Sequence, residues 1–427
     1  MQVAVLVFLQ FLYLSSAVEL RVGIYNEIPD LGDDNLVSYK DMIEKGFNSI
    51  GEHTVDAVVE QKEYYPYGNL NEYLSIDGFD LIEMDTANLR QVVEEDLVAE
   101  VEALPDDIMP AAASAVIVDG HMYGFPTLVC GNFLIGLAMK PADVRKCPLR
   151  PARSNYAAFH NKMEICKRNL VSEPHHRLLG GKMNDDYGWY LPFLYIDGYI
   201  DIHGVGSIEK AVDEVTRGVV DPDVCERLSW YIGCCGDANG GAQKNKCYHD
   251  FYGSYVEDSG NVYDDIKRGE TFFYFGFSEK LAEIKKKSPF HWPYAAISGP
   301  LGIQNNLLQF TDALVINKAR WMAANEEKRN AINSFIRYFL SNNLRHAIAM
   351  GHDLRPPQVR YLLQATETFY RNTNDVIYND IFWSLERAVA APSLTDHQRE
   401  KLEDVLTESC VVLTQSKKSG VSGMPTG

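Results

Sequence analysis

The sequence is short of positive charge. Its 427 residues carry 40 Lys and Arg against 59 Asp and Glu, a formal net charge of −19. Nucleic-acid binding needs Lys and Arg clustered on phosphates, and adhesion to an anionic membrane needs a basic surface, so the balance argues against both partners. Beyond its first residues the chain has no apolar run long enough to span a bilayer. It contains no Gly-x-Ser-x-Gly, no His-Glu-x-x-His and no Gly-x-x-x-x-Gly-Lys-Ser/Thr. Serine-hydrolase, zincin and P-loop chemistry therefore have no support. It has no Asn-x-Ser/Thr acceptor, so N-glycans are not expected. It also has no Cys-x-x-Cys pair, which leaves Cys234, Cys235, Cys247 and His249 a poor zinc set, and no metal is expected.

What the chain does have is length and a well-stocked core. Hydrophobic residues make up 46%, and 427 residues exceed what one compact core usually holds, so two domains are expected. Met1–Ala17 reads as a secretory signal. Val3–Leu14 is its apolar region, and Ser15-Ser16-Ala17 puts small residues before a cut at Val18, although Lys and Arg are missing ahead of it. A secreted protein is the expectation. Residues 415–427 are polar and rich in Gly and Ser, which suggests a disordered tail. Eight cysteines (Cys130, Cys147, Cys166, Cys225, Cys234, Cys235, Cys247 and Cys410) suit an oxidising compartment. Five of them fall between 166 and 247, in what reads as a loop-rich insert that disulfides could staple, densest at 225–247.

The stretch Asp119-Gly120-His121-Met122-Tyr123-Gly124-Phe125-Pro126-Thr127-Leu128-Val129-Cys130-Gly131-Asn132 organises the reading. A Gly turn leads into a segment whose aromatic, Pro and β-branched residues suit an extended strand. The strand ends on a thiol followed by Gly131, where a ligand can approach the backbone closely. Cys130 is thus a candidate nucleophile, against the plain alternative of a buried cysteine acting as a small hydrophobe.

Around it the chain alternates strands and helices. Glu19–Tyr25, Val55–Val59, Phe79–Met84 and Phe310–Asn317 read as strands, with a helix over Ser38–Ser49 and an aromatic loop over Tyr64–Tyr73. This order suggests an α/β domain with a parallel sheet, whose ligands sit beyond the carboxyl ends of the strands. Tyr25, Asp85 and Tyr64 or Tyr65 would meet there. A second α/β domain follows. In it the aromatic strand Thr271–Phe277 runs into Ser278-Glu279 and a helix over Lys280–Lys287, which points a carboxylate at a strand-to-helix junction. Helices are expected over Pro105–Ala115, Asn325–Leu340, Pro356–Arg371, Ile381–Val389 and Gln398–Leu413.

These residues resemble the two-lobed type II periplasmic-binding-protein fold, an α/β architecture with the ligand cleft between its lobes, and within it the thiaminase I family. The resemblance rests on Tyr123–Asn132 with Cys130, on Gly276-Phe277-Ser278-Glu279, on Phe310-Thr311-Asp312, on Tyr25 followed by Pro29-Asp30, on Phe79–Asp85 and on Pro357–Leu363. It implies Cys130 as nucleophile and Glu279 as its acid and base. It also implies Asp312 and Asp85 as hydrogen-bond partners of an aminopyrimidine, Tyr25 and Tyr64 or Tyr65 as stacking rings, and Phe277 and Phe310 as walls. The implied reaction replaces the thiazole of thiamine, or of a related aminopyrimidine, with an amine or thiol. It uses a small-molecule substrate, a nucleophilic co-substrate and no cofactor, and a monomer is expected. One lobe would comprise 18–127 with 305–350, the other 128–304 with 351–414. Phe277 and Phe310 depart from the tyrosines expected in bacterial members, and the cysteine-rich insert is foreign to them. A secreted small-molecule binding protein on the same fold is the alternative, and a protein using the insert as a contact surface is a third reading.

Overall fold

The computed structural model describes residues 18–25, 28–29, 31–32, 35–50, 54–58, 70–131, 133–137, 147, 156–170, 177–180, 187–234, 271–287, 293–297 and 308–411. Residues 1–17, Tyr64, Tyr65, most of the 225–247 insert and the expected tail lie outside them.

The strands are β1 (Glu19–Gly23), β2 (Thr54–Val58), β3 (Leu81–Asp85), β4 (Ile117–Val118), β5 (His121–Met122), β6 (Phe125–Gly131), β7 (Phe133–Leu137), β8 (Arg177–Gly180), β9 (Thr271–Gly276), β10 (Pro293–Ile297), β11 (Leu308–Ile316), β12 (Leu363–Gln364) and β13 (Val389–Ala390). Among the described residues they form two main sheets. The larger runs β12-β6-β11-β3-β1-β2, with β13 also on β11, and the smaller runs β10-β7-β9-β8. β1 is parallel to β2 and β3, but β11 returns antiparallel to both β3 and β6, so the larger sheet is mixed and not the parallel one expected. The reason is connectivity: β11 re-enters from the other lobe and need not follow a crossover helix.

Alternation along the strands gives the larger sheet two dry faces. Leu20, Val22, Leu81, Leu128, Leu314 and Ile316 share one face with Tyr39, Ile43 and Phe47 of the helix Asn35–Asn48. The helices Glu326–Phe339 and Asn342–Met350 add Phe335, Phe339, Leu344 and Ile348. Ile82, Met84, Ala313 and Val315 share the other face with Leu89, Val92, Val116 and Val118. Burying each large side chain stabilises the lobe by about 1.5–3 kcal/mol. Side chains start the covering helices: Asn325 accepts from the Lys328 N–H at 2.8 Å, and Ser341 caps the next. Gly351 ends that second helix at φ 61°, where a Cβ would lie 2.0 Å from the Gln358 carbonyl oxygen.

The smaller lobe is built around an almost wholly apolar helix, Tyr187–His203. Its Phe193, Tyr195, Ile196, Tyr199 and Ile200 pack with Phe272 and Phe273 of β9 and with Leu402 and Leu406 of the helix Asp396–Leu406. Disulfides join Cys147 to Cys166 and Cys225 to Cys410. By sheet membership the chain passes from the larger sheet to the smaller between Gly131 and Phe133.

Two expectations change. Pro356–Arg371 is not one helix. Leu363–Gln364 is the edge strand β12, Tyr361 has a φ of 54°, and the helix covers Glu367–Asn372 alone. The exposed edge of β6 captures the apolar residues that looked helical, and a left-handed residue ends any helix. The region from 187 to 234 is helical where loops were expected, and Cys225 lies inside the helix Pro222–Cys234. A helix buried all round carries no amphipathic period to reveal it.

Candidate active site at the strand ends

Three neighbouring strands deliver a thiol and two carboxylates by register alone. Cys130 on β6 pairs with Phe310 on β11, and Asp312, two residues along and so on the same face, pairs with Asp85 on β3. Opposed residues of this kind hold their side chains about 4.5–5.5 Å apart at Cβ. A β-bulge interrupts the β6–β11 pairing beside Asp312 and leaves Thr127 as the extra residue. The Thr127 hydroxyl donates to the Asp312 carbonyl at 3.0 Å, which fixes the irregularity. Bulges are a common means of re-aiming side chains beside active sites.

The fourth group arrives from the smaller sheet. β7 begins at Phe133, just past Cys130, and Phe133 pairs with Gly276, the last residue of β9. Gly276 has a φ of 153°, a turn open to glycine, after which Phe277, Ser278 and Glu279 lead into the helix Lys280–Lys287. Glu279 is buried, as are Asp85 and Asp312. Cys130 is a free thiol and partly exposed. Burial pushes its pKa well above the usual thiol value, and the negative charges of Asp312, Asp85 and Glu279 push it further. Burial and the three carboxylates thus favour the protonated thiol over the thiolate.

One side of this cluster is aromatic. Phe310 is buried and meets Phe193 edge to face, with ring centroids 4.9 Å apart, and Phe277 and Cys130 border the same apolar cluster. Asp85 spends one oxygen locally, accepting the Ala87 N–H at 2.7 Å to cap a short turn. Tyr25 follows β1, and its N–H donates to Glu83 Oε2 at 2.7 Å, which sets it beside the end of β3. Register and charge thus bring together Cys130, Asp85, Asp312, Glu279 and Phe310, with Phe277 against the same wall. Tyr64 and Tyr65 fall outside the described residues.

Sequence reasoning missed the layer behind these groups. Arg345 is buried, donates from Nε to Gln364 Oε1 and from Nη2 to the Thr127 carbonyl, each at 2.7 Å, and so clamps the bulge. Burial pulls its pKa down, while the charges of Glu83 and Asp312 oppose that pull. Glu83 was findable, because it alternates with Asp85 on one short strand and so faces the same way. Phe193 was not, since its helix has no polar face to give a register.

No protein-family model matches the chain, and no curated protein matches it in sequence. Solved structures do match. Thiaminase I of Bacillus thiaminolyticus superposes with a TM-score of 0.64 at 16% identity, over 92% of this chain and 100% of its own. Clostridium botulinum thiaminase I in complex with thiamin gives 0.63 at 16%, over the same shares. The sugar-binding protein MalE from Xanthomonas citri gives 0.62 at 16%, over 95% of this chain and 93% of that one. At such identities the likeness is one of fold: the chain has the two-lobed type II periplasmic-binding-protein architecture found both in thiaminase I and in sugar-binding proteins.

Proposed function

We propose that the protein is a secreted thiaminase I-like transferase acting through Cys130. The observation that carries this reading is a free thiol at the end of a central strand, in register beside Asp312 and Asp85 and within the electrostatic reach of Glu279. The two disulfides support an oxidising, extracellular setting.

A protonated thiol needs both a base and a reason to ionise. Glu279 takes the Sγ proton. A cationic thiazolium entering the cluster offsets the negative charge that holds that proton, so substrate binding itself favours the thiolate. The thiolate adds to C6 of the aminopyrimidine. The bond from the methylene carbon to the thiazolium nitrogen then breaks, and its electron pair leaves with the thiazole. An amine or thiol adds to the methylene carbon and gives up its own proton, where it has one, to solvent; the C–S bond breaks, and Glu279 returns its proton to the sulfur. Asp312 and Asp85 hydrogen-bond the pyrimidine, and Phe310 and Phe277 wall its ring. Tyr25 is placed to contribute a ring at the mouth. Every step uses side chains alone, on a single chain.

One observation favours a second reading, a binding protein that does no chemistry: the thiol is held in its unreactive form. Thiamine consumption with an added aromatic amine, run beside Cys130→Ser, separates the two. Base-exchange product from wild type and none from the variant supports the transferase. Thiamine bound but left intact supports the binding protein, and neither binding nor conversion removes thiamine as the substrate.

A further inference from the structure

We infer that Tyr361 and the short segment 360–364 form a brace that positions Glu279 against Cys130; this rests on the roles proposed for those two residues. The two groups come from different sheets, so something must fix their separation. At one end of the segment, Leu363 and Gln364 pair with Val129 and Leu128, immediately before Cys130. The Ala365 N–H adds a bond to the Thr127 carbonyl at 3.1 Å. At the other end, the Tyr361 carbonyl accepts from Ser278 Oγ at 2.7 Å, in a buried bond one residue from Glu279. Further along the same helix, Lys285 Nζ donates to the Tyr361 hydroxyl at 2.5 Å and lies 4.8 Å over its ring. Tyr361 thus holds the Glu279 helix both at its start and near its end. Only one residue, Leu362, separates that grip from the pairing with the Cys130 strand.

The brace is itself anchored and strained. Arg360 donates to both carboxylate oxygens of Asp353, at 2.7 and 2.6 Å, and to the Ile348 carbonyl at 3.0 Å. Tyr378 donates to the Leu362 carbonyl at 3.2 Å. Between these anchors Tyr361 takes a φ of 54°, a region that a bulky residue enters only when its surroundings compel it. That twist lets its carbonyl meet Ser278 while Leu363 enters the sheet. Tyr361 touches no reacting atom in this scheme and is a positioning residue.

The test reads Cys130 directly. Carbamidomethylation by iodoacetamide, followed by mass spectrometry of the Cys130 peptide, is measured against pH on the full chain. The charged groups acting on the thiol are Asp312 of β11, Asp85 of β3 and Glu279. Glu279→Gln removes one negative neighbour and moves the profile to lower pH. Ser278→Ala, which frees the carboxylate from its anchor, moves it the same way, as does Tyr361→Phe through loss of the Lys285 contact. Neither moves it further in the Glu279→Gln background. In thiamine exchange, Ser278→Ala lowers kcat about tenfold with KM held, the size of one buried hydrogen bond. A folded Ser278→Ala and a folded Tyr361→Phe with the wild-type profile, or an undiminished shift without Glu279, overturns the inference. If wild type leaves thiamine intact, the alkylation arm still decides the brace, so the two failures read differently.

Discussion

The two lobes solve burial in opposite ways. The larger keeps charge inside: Glu83, Asp312, Arg345 and Arg360 are all buried on or behind its central strands. The smaller packs Phe193, Ile196, Ile200, Phe272 and Phe273 into a more apolar core, in which the helix Tyr187–His203 buries Asp197 and the carboxylate of an Arg227–Asp201 ion pair. Hydrogen bonds and ion pairs are directional, whereas apolar packing is not. The polar lobe can therefore hold a thiol and two carboxylates to a register. The apolar lobe contributes ring surface and a low dielectric, which strengthens every charge interaction beside it. Division of labour of this kind makes the two lobes separately breakable.

The largest effect expected is on the polar side. Cys130→Ser should lower thiamine exchange by about 10⁴-fold or more, read as turnover with an aromatic amine, because a hydroxyl cannot replace the thiolate. Glu279→Gln should lower it by about 10²–10⁴-fold, the usual range for a lost general base. Phe193→Ala attacks the apolar side. It should cost about 3–5 kcal/mol of stability, seen in denaturant unfolding, as its contact with Phe310 becomes a cavity. It should leave the pH profile of Cys130 alkylation where it was. Asp312→Asn sharpens the contrast from the other lobe: it removes a carboxylate that acts on the thiol, so alkylation moves to lower pH. A shift from Phe193→Ala equal to that from Asp312→Asn would dissolve the distinction.

The smallest effect is on alkaline stability. The folded chain holds the Cys130 proton more tightly than the unfolded chain, so this group's contribution is complete below the unfolded thiol pKa of about 8.5 and is lost as pH rises through the higher folded value. Between those two values the thermal midpoint of wild type should fall more steeply than that of Cys130→Ala, and above the higher one the two should run parallel.

The residues assigned to the proposed chemistry were legible in the sequence partly because some close a local pattern and partly through the family resemblance, which supplied Asp312 and the role of Glu279. Cys130 ends a β-branched strand before Gly131, Asp85 ends an apolar run, Glu279 follows an aromatic strand, and Asp312 lies inside one. What was not legible depends on partners remote in sequence. Arg345 reads as one more charge on an amphipathic helix until its bond to Thr127, 218 residues away, buries it. Tyr361 sits in a stretch whose apolar spacing suggested a helix, and only the waiting edge of β6 makes it extended. The helix Tyr187–His203 hid for a third reason, since residues 192–200 are buried on every side and so carry no clear period.

The Cys225–Cys410 bond, which spans 185 residues of sequence, also has a mechanical meaning. It closes a covalent ring that contains Glu279, Asp312 and Tyr361 and leaves Cys130 and Asp85 outside. Tension applied to the two chain ends would run through the first part of the chain to Cys225, then jump across the sulfurs to Cys410. The strand bearing Cys130 would be torn from its sheet while the ring carried no load. Reduction would release the 185-residue span, roughly 3.3–3.6 Å for each residue, as added contour length on the order of 600 Å. An optical trap would read that increment as a single redox-dependent step, with Cys130 and Glu279 on opposite sides of it.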